Sequence, residues 1–239
     1  MTRRPHLDGR EIDALLIDAG GVVVEPNWET VASVLGRHGV EVDPADLAVA
    51  NPRLLRELDD AELIKRSTDV TRRERWLARL LRHAGRPASL DDGVVDAAAD
   101  ELEALHLERG IWDSVLDGAP AALDELRSAG LRLALVSNAE PRLRQVMERV
   151  GLAHRFDHLA ISGELGVEKP DPEIFWDALV ALDAPVDHAV HVGDLYEVDV
   201  VGARRIGLAA VLVDVADLSA DRNVTRIRSL TELPVLLGV

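Results

Sequence analysis

The stretch IDALLIDAGG, residues 12–21, decides the fold: it is a short apolar run that ends in Asp18 and two glycines. A run of this length without polar alternation is typical of a strand buried on both faces of a parallel sheet. The two glycines predict a tight turn directly after the strand. Because ligands of open α/β sheets bind beyond the carboxyl ends of the strands, Asp18 occupies a position typical of a functional residue.

Four later runs repeat this pattern and are predicted to be further strands of the same sheet. They lie at residues 131–136, 157–161, 188–192 and 209–213. Helical patterns, marked by proline in the first turn or glycine just past the end, separate the runs. These patterns lie at residues 119–129, 140–150 and 172–182. The alternation favours an α/β fold, with a Rossmann-like parallel sheet covered by helices on both faces.

The segment 27–111 breaks this alternation, because it has helical patterns and no convincing strand. Leu63 and Val70 recur on one face of such a pattern. We therefore expect an α-helical domain at residues 27–111, inserted into a core that is formed by residues 1–26 and 112–239.

The composition is that of an acidic globular protein, in which 27 basic and 43 acidic residues give a formal net charge of −16. Such a charge opposes binding to nucleic acid or to an anionic membrane, so we expect neither partner. No apolar run approaches the ~20 residues of a membrane helix. The chain has no cysteine, and its N-terminal arginines are not followed by an apolar stretch, so we expect a cytoplasmic protein.

Polar side chains follow the predicted strands. Besides Asp18, they are Ser137, Asn138, Lys169, Asp194 and Asp199. If the strands are neighbours, these groups converge at one edge of the sheet. Clustered carboxylates repel one another, a divalent cation removes that conflict, and hard oxygen ligands favour Mg²⁺.

This set of side chains fits phosphoryl transfer, which needs in-line positioning and neutralisation of charge. The carboxylate of Asp18 is the candidate nucleophile, and its attack would form an acyl phosphate that water hydrolyses. Lys169, one of only two lysines in the chain, supplies a positive charge to a carboxylate and a phosphate oxygen. Ser137 and Asn138 supply hydrogen-bond donors to the other phosphoryl oxygens. We therefore expect a small phosphorylated substrate.

Four segments resemble, in order, the motifs of the haloacid dehalogenase superfamily, a large group of mostly phosphatases. They are LLIDAGGVVV (15–24), LVSN (135–138), GVEKPDPEIF (166–175) and HVGDLYEVDVVGARRIG (191–207). The resemblance implies a Rossmann-like core with a mobile helical cap. It also implies that Asp18 is the nucleophile and that Ser137 and Lys169 assist it. The Mg²⁺ ligands that the family pattern implies are the side chains of Asp18, Asp194 and Asp199 and the carbonyl of Gly20.

One position departs from the family pattern. Phosphatases of this superfamily usually carry a second aspartate two residues after the nucleophile, as general acid and base, and here that position is Gly20. General acid–base catalysis contributes about 100- to 10,000-fold. Four explanations stay open: a leaving group that needs no proton, a substitute such as Glu25 or a cap residue, a slow enzyme, or a different reaction.

Three other functions are compatible with that departure. A 2-haloacid dehalogenase needs no acid, because halide leaves unprotonated, but such enzymes use no metal and commonly have an aromatic residue at this position. Cleavage of a carbon–phosphorus bond through a Schiff base would need Lys65, yet the surrounding ELIKRST does not resemble that lysine motif. A catalytically impaired binding protein would also have lost the acid. We favour the phosphatase, because the other motif residues are all present.

Overall fold

The computed structural model describes residues 4–66, 76–85 and 90–239. The chain divides into two compact units: Met1–Glu25 with Val115–Val239, which we call the core unit, and Pro26–Ser114, which we call the helical unit. Val70, expected on a buried helical face, lies outside the described residues.

The core unit is built on a six-stranded parallel sheet. In chain order, the strands of the described residues are β1 (His6–Leu7), β2 (Arg10–Glu11), β3 (Ala14–Ile17), β4 (Val24–Glu25), β5 (Ser114–Val115), β6 (Arg132–Ser137), β7 (His158–Ile161), β8 (Ala189–Gly193), β9 (Ala209–Val213) and β10 (Thr225–Ile227). The order in the large sheet is β10-β9-β8-β3-β6-β7. Strands β1 and β2 form a separate antiparallel pair.

Strand β3 lies in the middle of the sheet, and all four of its side chains are apolar and fully buried. It pairs with β6 on one side and with β8 on the other. Leu15 and Ile17 face one apolar cluster, whereas Ala14 and Leu16 face the opposite one. This burial on both faces explains why the strand shows no polar alternation in the sequence.

Helices cover both faces of the sheet. The α-helices of the described residues are α1 (Trp28–Arg37), α2 (Pro44–Leu58), α3 (Ala61–Arg66), α4 (Trp76–His83), α5 (Asp92–Arg109), α6 (Ala119–Ser128), α7 (Arg142–Arg149), α8 (Ser162–Leu165), α9 (Pro172–Ala181), α10 (Val201–Arg204) and α11 (Leu233–Leu237). A π-helical turn follows β8 at Tyr196–Val200. Helices α6 and α7 pack on one face and α9 on the other, which confirms the predicted α/β class.

The helical unit contains α1 to α5 and has an apolar core of its own. The rings of Trp28 and Trp76 stack in it with centroids 6.3 Å apart. Glu101 joins α5 to α1 by accepting a hydrogen bond from Nε of Arg37 at 3.0 Å and by contacting Nε2 of His38 at 2.8 Å. Across the described residues, no helix combines the length and the apolar composition that crossing a membrane requires. The role of this unit as a cap stays a prediction.

In each unit, a residue close to the beginning of the insertion is hydrogen-bonded to a residue close to its end. In the core unit, the backbone N–H of Leu116 donates to the carbonyl of Val23 at 3.0 Å. In the helical unit, the backbone N–H of Asn27 donates to the carbonyl of Ile111 at 2.7 Å. The insertion therefore begins and ends within hydrogen-bonding distance on each side.

Candidate active site

Asp18 is the first residue after β3 and is nearly buried, with 8% of its surface exposed. Its backbone N–H donates to the carbonyl of Val192 in β8 at 2.8 Å, which fixes it at the carboxyl edge of the sheet. Its Oδ1 accepts a hydrogen bond from the backbone N–H of Ala19 at 2.7 Å. Its Oδ2 accepts none from the described residues, so this oxygen is available to react or to bind a cation.

The ammonium group of Lys169 lies between two carboxylates. Its Nζ is 3.0 Å from Oδ1 of Asp18 and 2.7 Å from Oδ1 of Asp199. The side chain is only 1% exposed, so solvent screens these ion pairs weakly. Burial alone would lower the pKa of Lys169, but the charges of Asp18 and Asp199 raise it above its usual value. Lys169 is therefore a constant positive charge beside Asp18.

Asp199 is fully buried in the π-helical turn and accepts hydrogen bonds from three segments of the chain. Its Oδ1 receives Nζ of Lys169 and Nε2 of His191, the latter at 2.9 Å, and its Oδ2 receives the backbone N–H of Leu195 at 2.9 Å. A Cβ at Gly193 would overlap this carboxylate. Burial opposes ionisation, yet Lys169 and His191 hold the pKa of Asp199 below its usual value.

The pKa of Asp18 shifts in the opposite direction. Burial raises it above the ordinary value of 3.8, Lys169 opposes the shift, and the negative charge of Asp199 adds to it. A second cation beside Asp18 would favour the carboxylate form that a nucleophile requires.

Three carboxylates meet at this edge of the sheet. One oxygen each from Asp18, Asp194 and Asp199 lies within 4.8 Å of the others. Gly21, with φ +69°, makes room for the second of them, because a Cβ there would overlap the Asp194 carboxylate. Clustered carboxylates repel one another, and their hard oxygen donors fit Mg²⁺.

Gly20 lies between Asp18 and Gly21 in the sequence and forms an isolated β-bridge with Val24. The role of its carbonyl as a metal ligand stays a prediction. Its side chain cannot donate a proton, so the usual second acid is absent from this position.

Ser137 ends β6, the strand next to β3, and is 5% exposed. Its hydroxyl makes no hydrogen bond to the part of the chain that the structure describes, so it is available to a ligand. Its expected contact to a phosphoryl oxygen stays a prediction.

Asn138 makes a contact that the sequence does not reveal. Its Nδ2 donates to the backbone carbonyl of Lys169 at 2.8 Å, and its Oδ1 accepts from the backbone N–H of Lys169 at 2.7 Å. The amide therefore holds the loop that carries the lysine. One N–H of the amide is left for the expected contact to a phosphate, which stays a prediction.

Two further residues, His191 and Lys65, bear on the predicted site. His191, which is not among the predicted site residues, lies in β8 and contacts Asp199. The only signal in the sequence is a histidine within an otherwise apolar strand. Lys65, the lysine of the Schiff-base alternative, lies on α3 with 64% of its side chain exposed, and its Nζ is 3.0 Å from Oε1 of Glu62. That pairing is ordinary for a solvated helix surface.

The π-helical turn is also held from outside. The guanidinium of Arg222 lies 4.6 Å from the ring centroid of Tyr196 and donates to Oε1 of Glu197 at 3.1 Å. Asp214 orders the loop that leads to Arg222, because its carboxylate accepts the backbone N–H groups of Leu218 and Ser219. The turn that carries Asp199 is thereby tied to the loop after β9.

Comparison with known proteins supports the same family. The chain is 34% identical to the human haloacid dehalogenase-like hydrolase domain-containing protein 3 over 189 residues, which cover 79% of this chain and 75% of that protein. It is 41% identical to a phosphoserine phosphatase of Thermus thermophilus over 143 residues, covering 59% of this chain and 54% of that protein. This second match thus spans about half of the relative.

A solved structure shows the same fold. The crystal structure of a HAD phosphatase from Thermococcus onnurineus aligns with 95% of this chain and 98% of its own, at a TM-score of 0.60 and 24% identity. The sequence model of the haloacid dehalogenase-like hydrolase family matches residues 12–207, which include all four motifs. Since this match spans well over half of the 239 residues, the chain belongs to the haloacid dehalogenase-like hydrolase family.

Proposed function

We propose that the protein is a Mg²⁺-dependent phosphatase that acts on a small phosphorylated metabolite through an aspartyl-phosphate intermediate. One observation carries this proposal: Lys169 and a backbone N–H hold Oδ1 of Asp18, Oδ2 is left available, and the carboxylates of Asp194 and Asp199 lie nearby. A fixed nucleophile with one reactive oxygen in a buried, charge-rich site suits in-line attack on phosphorus.

In the first step, Oδ2 of Asp18 attacks phosphorus while the bond from phosphorus to the leaving oxygen breaks. The leaving group departs with the bonding electrons. Lys169 and the hydroxyl of Ser137 stabilise the charge on the phosphoryl oxygens. Water then attacks the phosphorus of the acyl phosphate, which releases inorganic phosphate and restores the Asp18 carboxylate.

The residues that would hold Mg²⁺ are Asp18, Asp194, Asp199 and the carbonyl of Gly20. When bound, the ion supplies neutralisation of the charge on carboxylates and phosphoryl group alike. Asp199 also accepts three hydrogen bonds, so besides this role it orients Lys169.

The relatives support this assignment of substrate class, since the Thermus protein bears the name phosphoserine phosphatase. We assign substrate selection to the helical unit, as the cap that the family pattern implies. A cytoplasmic location also belongs to this proposal.

Gly20 keeps a second function open. A 2-haloacid dehalogenase forms an ester with the same aspartate and needs no acid at this position. Against it, three carboxylates cluster here, and a metal ion, which such a dehalogenase does not use, would relieve their mutual repulsion.

Hydrolysis of para-nitrophenyl phosphate separates these functions, because its leaving group departs without a proton. We expect turnover that needs Mg²⁺, stops with a chelator and is lost in Asp18→Asn. The matched control is Asp13→Asn, which changes the aspartate just before β3, at the opposite end of the strand, and should keep the activity.

Other results would replace the proposal. Equal rates for the wild type and Asp18→Asn would indicate a binding protein. Halide release from a 2-haloacid in the presence of chelator would indicate the dehalogenase. If turnover is confirmed, a phosphate-release screen over phosphorylated metabolites identifies the substrate.

A further inference from the structure

His191 is a buried titratable residue that the proposed mechanism does not use. It lies in β8, is fully buried, and faces the apolar cluster beneath α9, where its ring meets Phe175 edge to face with centroids 5.0 Å apart. Its Nε2 lies 2.9 Å from Oδ1 of Asp199. A leucine at this position would pack among the same neighbours without burying polar atoms.

The contacts of the imidazole indicate which of its ring nitrogens donates a hydrogen bond. The second ring nitrogen, Nδ1, is buried and has no hydrogen-bond partner among the described residues. A proton on Nδ1 would bury a donor without an acceptor, whereas a proton on Nε2 is accepted by Asp199. Nε2 is therefore the ring nitrogen that donates, and its N–H is aimed at the site.

The donor acts on an oxygen that Lys169 also needs. Oδ1 of Asp199 receives both His191 and Lys169, while Oδ2 is occupied by the N–H of Leu195. With both oxygens fixed, Asp199 has one orientation, and Lys169 reaches Asp18 at 3.0 Å. Without His191, Oδ1 would move toward Lys169 and draw the ammonium away from Asp18.

We propose that His191 is a positioning residue: through Asp199 it fixes the bridge that Lys169 makes to Asp18. The effect on rate rests on the proposed phosphatase function, whereas the effect on Lys169 does not. Residues that orient the ligands of a metal site typically contribute 10- to 100-fold to metal affinity or activity, so we expect an effect of that order on kcat.

Two substitutions separate positioning from packing. His191→Phe keeps an aromatic ring against Phe175 but removes the donor, and we expect kcat on para-nitrophenyl phosphate to fall about 10- to 100-fold with little change in KM. His191→Gln keeps an N–H within reach of Asp199 and should restore most of the rate. The matched control is His158→Phe, which removes a histidine 2.7 Å from Asp177 at the beginning of β7.

A second readout needs no turnover. The chain has only two lysines, so lysine labelled with ¹³C at Cε gives two NMR signals. We expect His191→Phe to shift the signal of Lys169 and His191→Gln to return it, while the signal of the exposed Lys65 serves as a reference in every sample. The ¹⁵N spectrum of the wild-type imidazole should show the proton on Nε2, which tests the geometry even if a variant folds poorly.

The outcomes are distinct. A wild-type kcat and an unshifted Lys169 signal in folded His191→Phe would overturn the proposal, as would an Nδ1-protonated ring in the wild type. If the wild type hydrolyses no phosphate ester, the proposed function fails and the Lys169 signal alone decides the role of His191. Loss of rate in His191→Phe with rescue in His191→Gln supports it.

Discussion

Gly21 and Asp194 lie so close together that any side chain at position 21 would overlap the Asp194 carboxylate. The two residues are far apart in sequence, and the turn after β3 meets the loop after β8 only in the folded sheet. Space for a candidate metal ligand therefore depends on a missing Cβ in another segment.

Gly21→Ala should displace Asp194 and weaken Mg²⁺ binding by about 10-fold or more, with lower turnover of para-nitrophenyl phosphate. The matched control is Gly207→Ala, which has a similarly positive φ of +80° but nothing within 4 Å of the added Cβ. Both variants have a similar backbone cost, so any further fall in Tm of Gly21→Ala comes from the overlap with Asp194. Mg²⁺ titrations that match between the two variants would contradict the expected displacement.

Gly20→Asp should supply a general acid at the position where the family pattern usually has one. Gly20 is not among the glycines with positive φ, so its backbone conformation accepts a side chain. We expect the rate with an alkyl phosphate to rise more than the rate with para-nitrophenyl phosphate, because only the alkyl leaving group needs a proton. Gly20→Asn, with no proton to donate, is the control; an equal gain in Asn and Asp would exclude acid catalysis.

Asp18→Asn should stabilise the metal-free protein, because it buries no charge at position 18 while Lys169 keeps its ion pair with Asp199. Since burial raises the pKa of Asp18, the folded chain holds this proton more tightly than the unfolded chain, so ionisation opposes folding. The stability from the protonated carboxyl is fully present below the ordinary value of 3.8 and is lost as pH rises through the raised pKa.

At neutral pH in chelator we therefore expect Tm of Asp18→Asn to exceed that of the wild type by a few degrees. Excess Mg²⁺ should raise Tm of the wild type more than that of the variant. Asp187→Asn, at an exposed aspartate, should match the wild type in both conditions. A lower Tm in Asp18→Asn without metal would contradict the cost of burying this charge.

Arg222→Met should loosen the π-helical turn without changing the carboxylates of Asp18, Asp194 and Asp199. The substitution removes the cation that lies over Tyr196 and the donor to Glu197. We expect about 10-fold more Mg²⁺ to be needed for half-maximal activity. Arg228→Met, which alters an exposed arginine 3.7 Å from Asp217, is the control and should leave the requirement unchanged.

The strands could be predicted because a strand buried on both faces needs an apolar run. The run 209–213 coincides with β9, and the run 12–18 contains β3. Strand β10 has no such run, since Arg226 stands in the middle of its three residues, and only its pairing with β9 makes it a strand. The sequence also gives no strand order, because order depends on which edges meet.

The candidate site could likewise be predicted only in part. Asp18 and Asp194 could be found because each follows a buried strand, and Ser137 because it ends one. The partner of Asn138 is a backbone amide 31 residues away, and a backbone partner leaves no mark in the sequence. His191 could not be predicted for a related reason. Its role depends on the contact with Asp199, which forms only when the turn after β8 folds back.

The hydrogen bonds Leu116–Val23 and Asn27–Ile111 make the insertion a natural cassette. A segment whose ends are already adjacent can be cut out and replaced by another of different length with little change in loop-closure entropy. Under the proposed division of roles, transplanting residues 26–114 between relatives would yield chimaeras that keep one parent's Asp18 and Lys169 and take on the other parent's substrate preference.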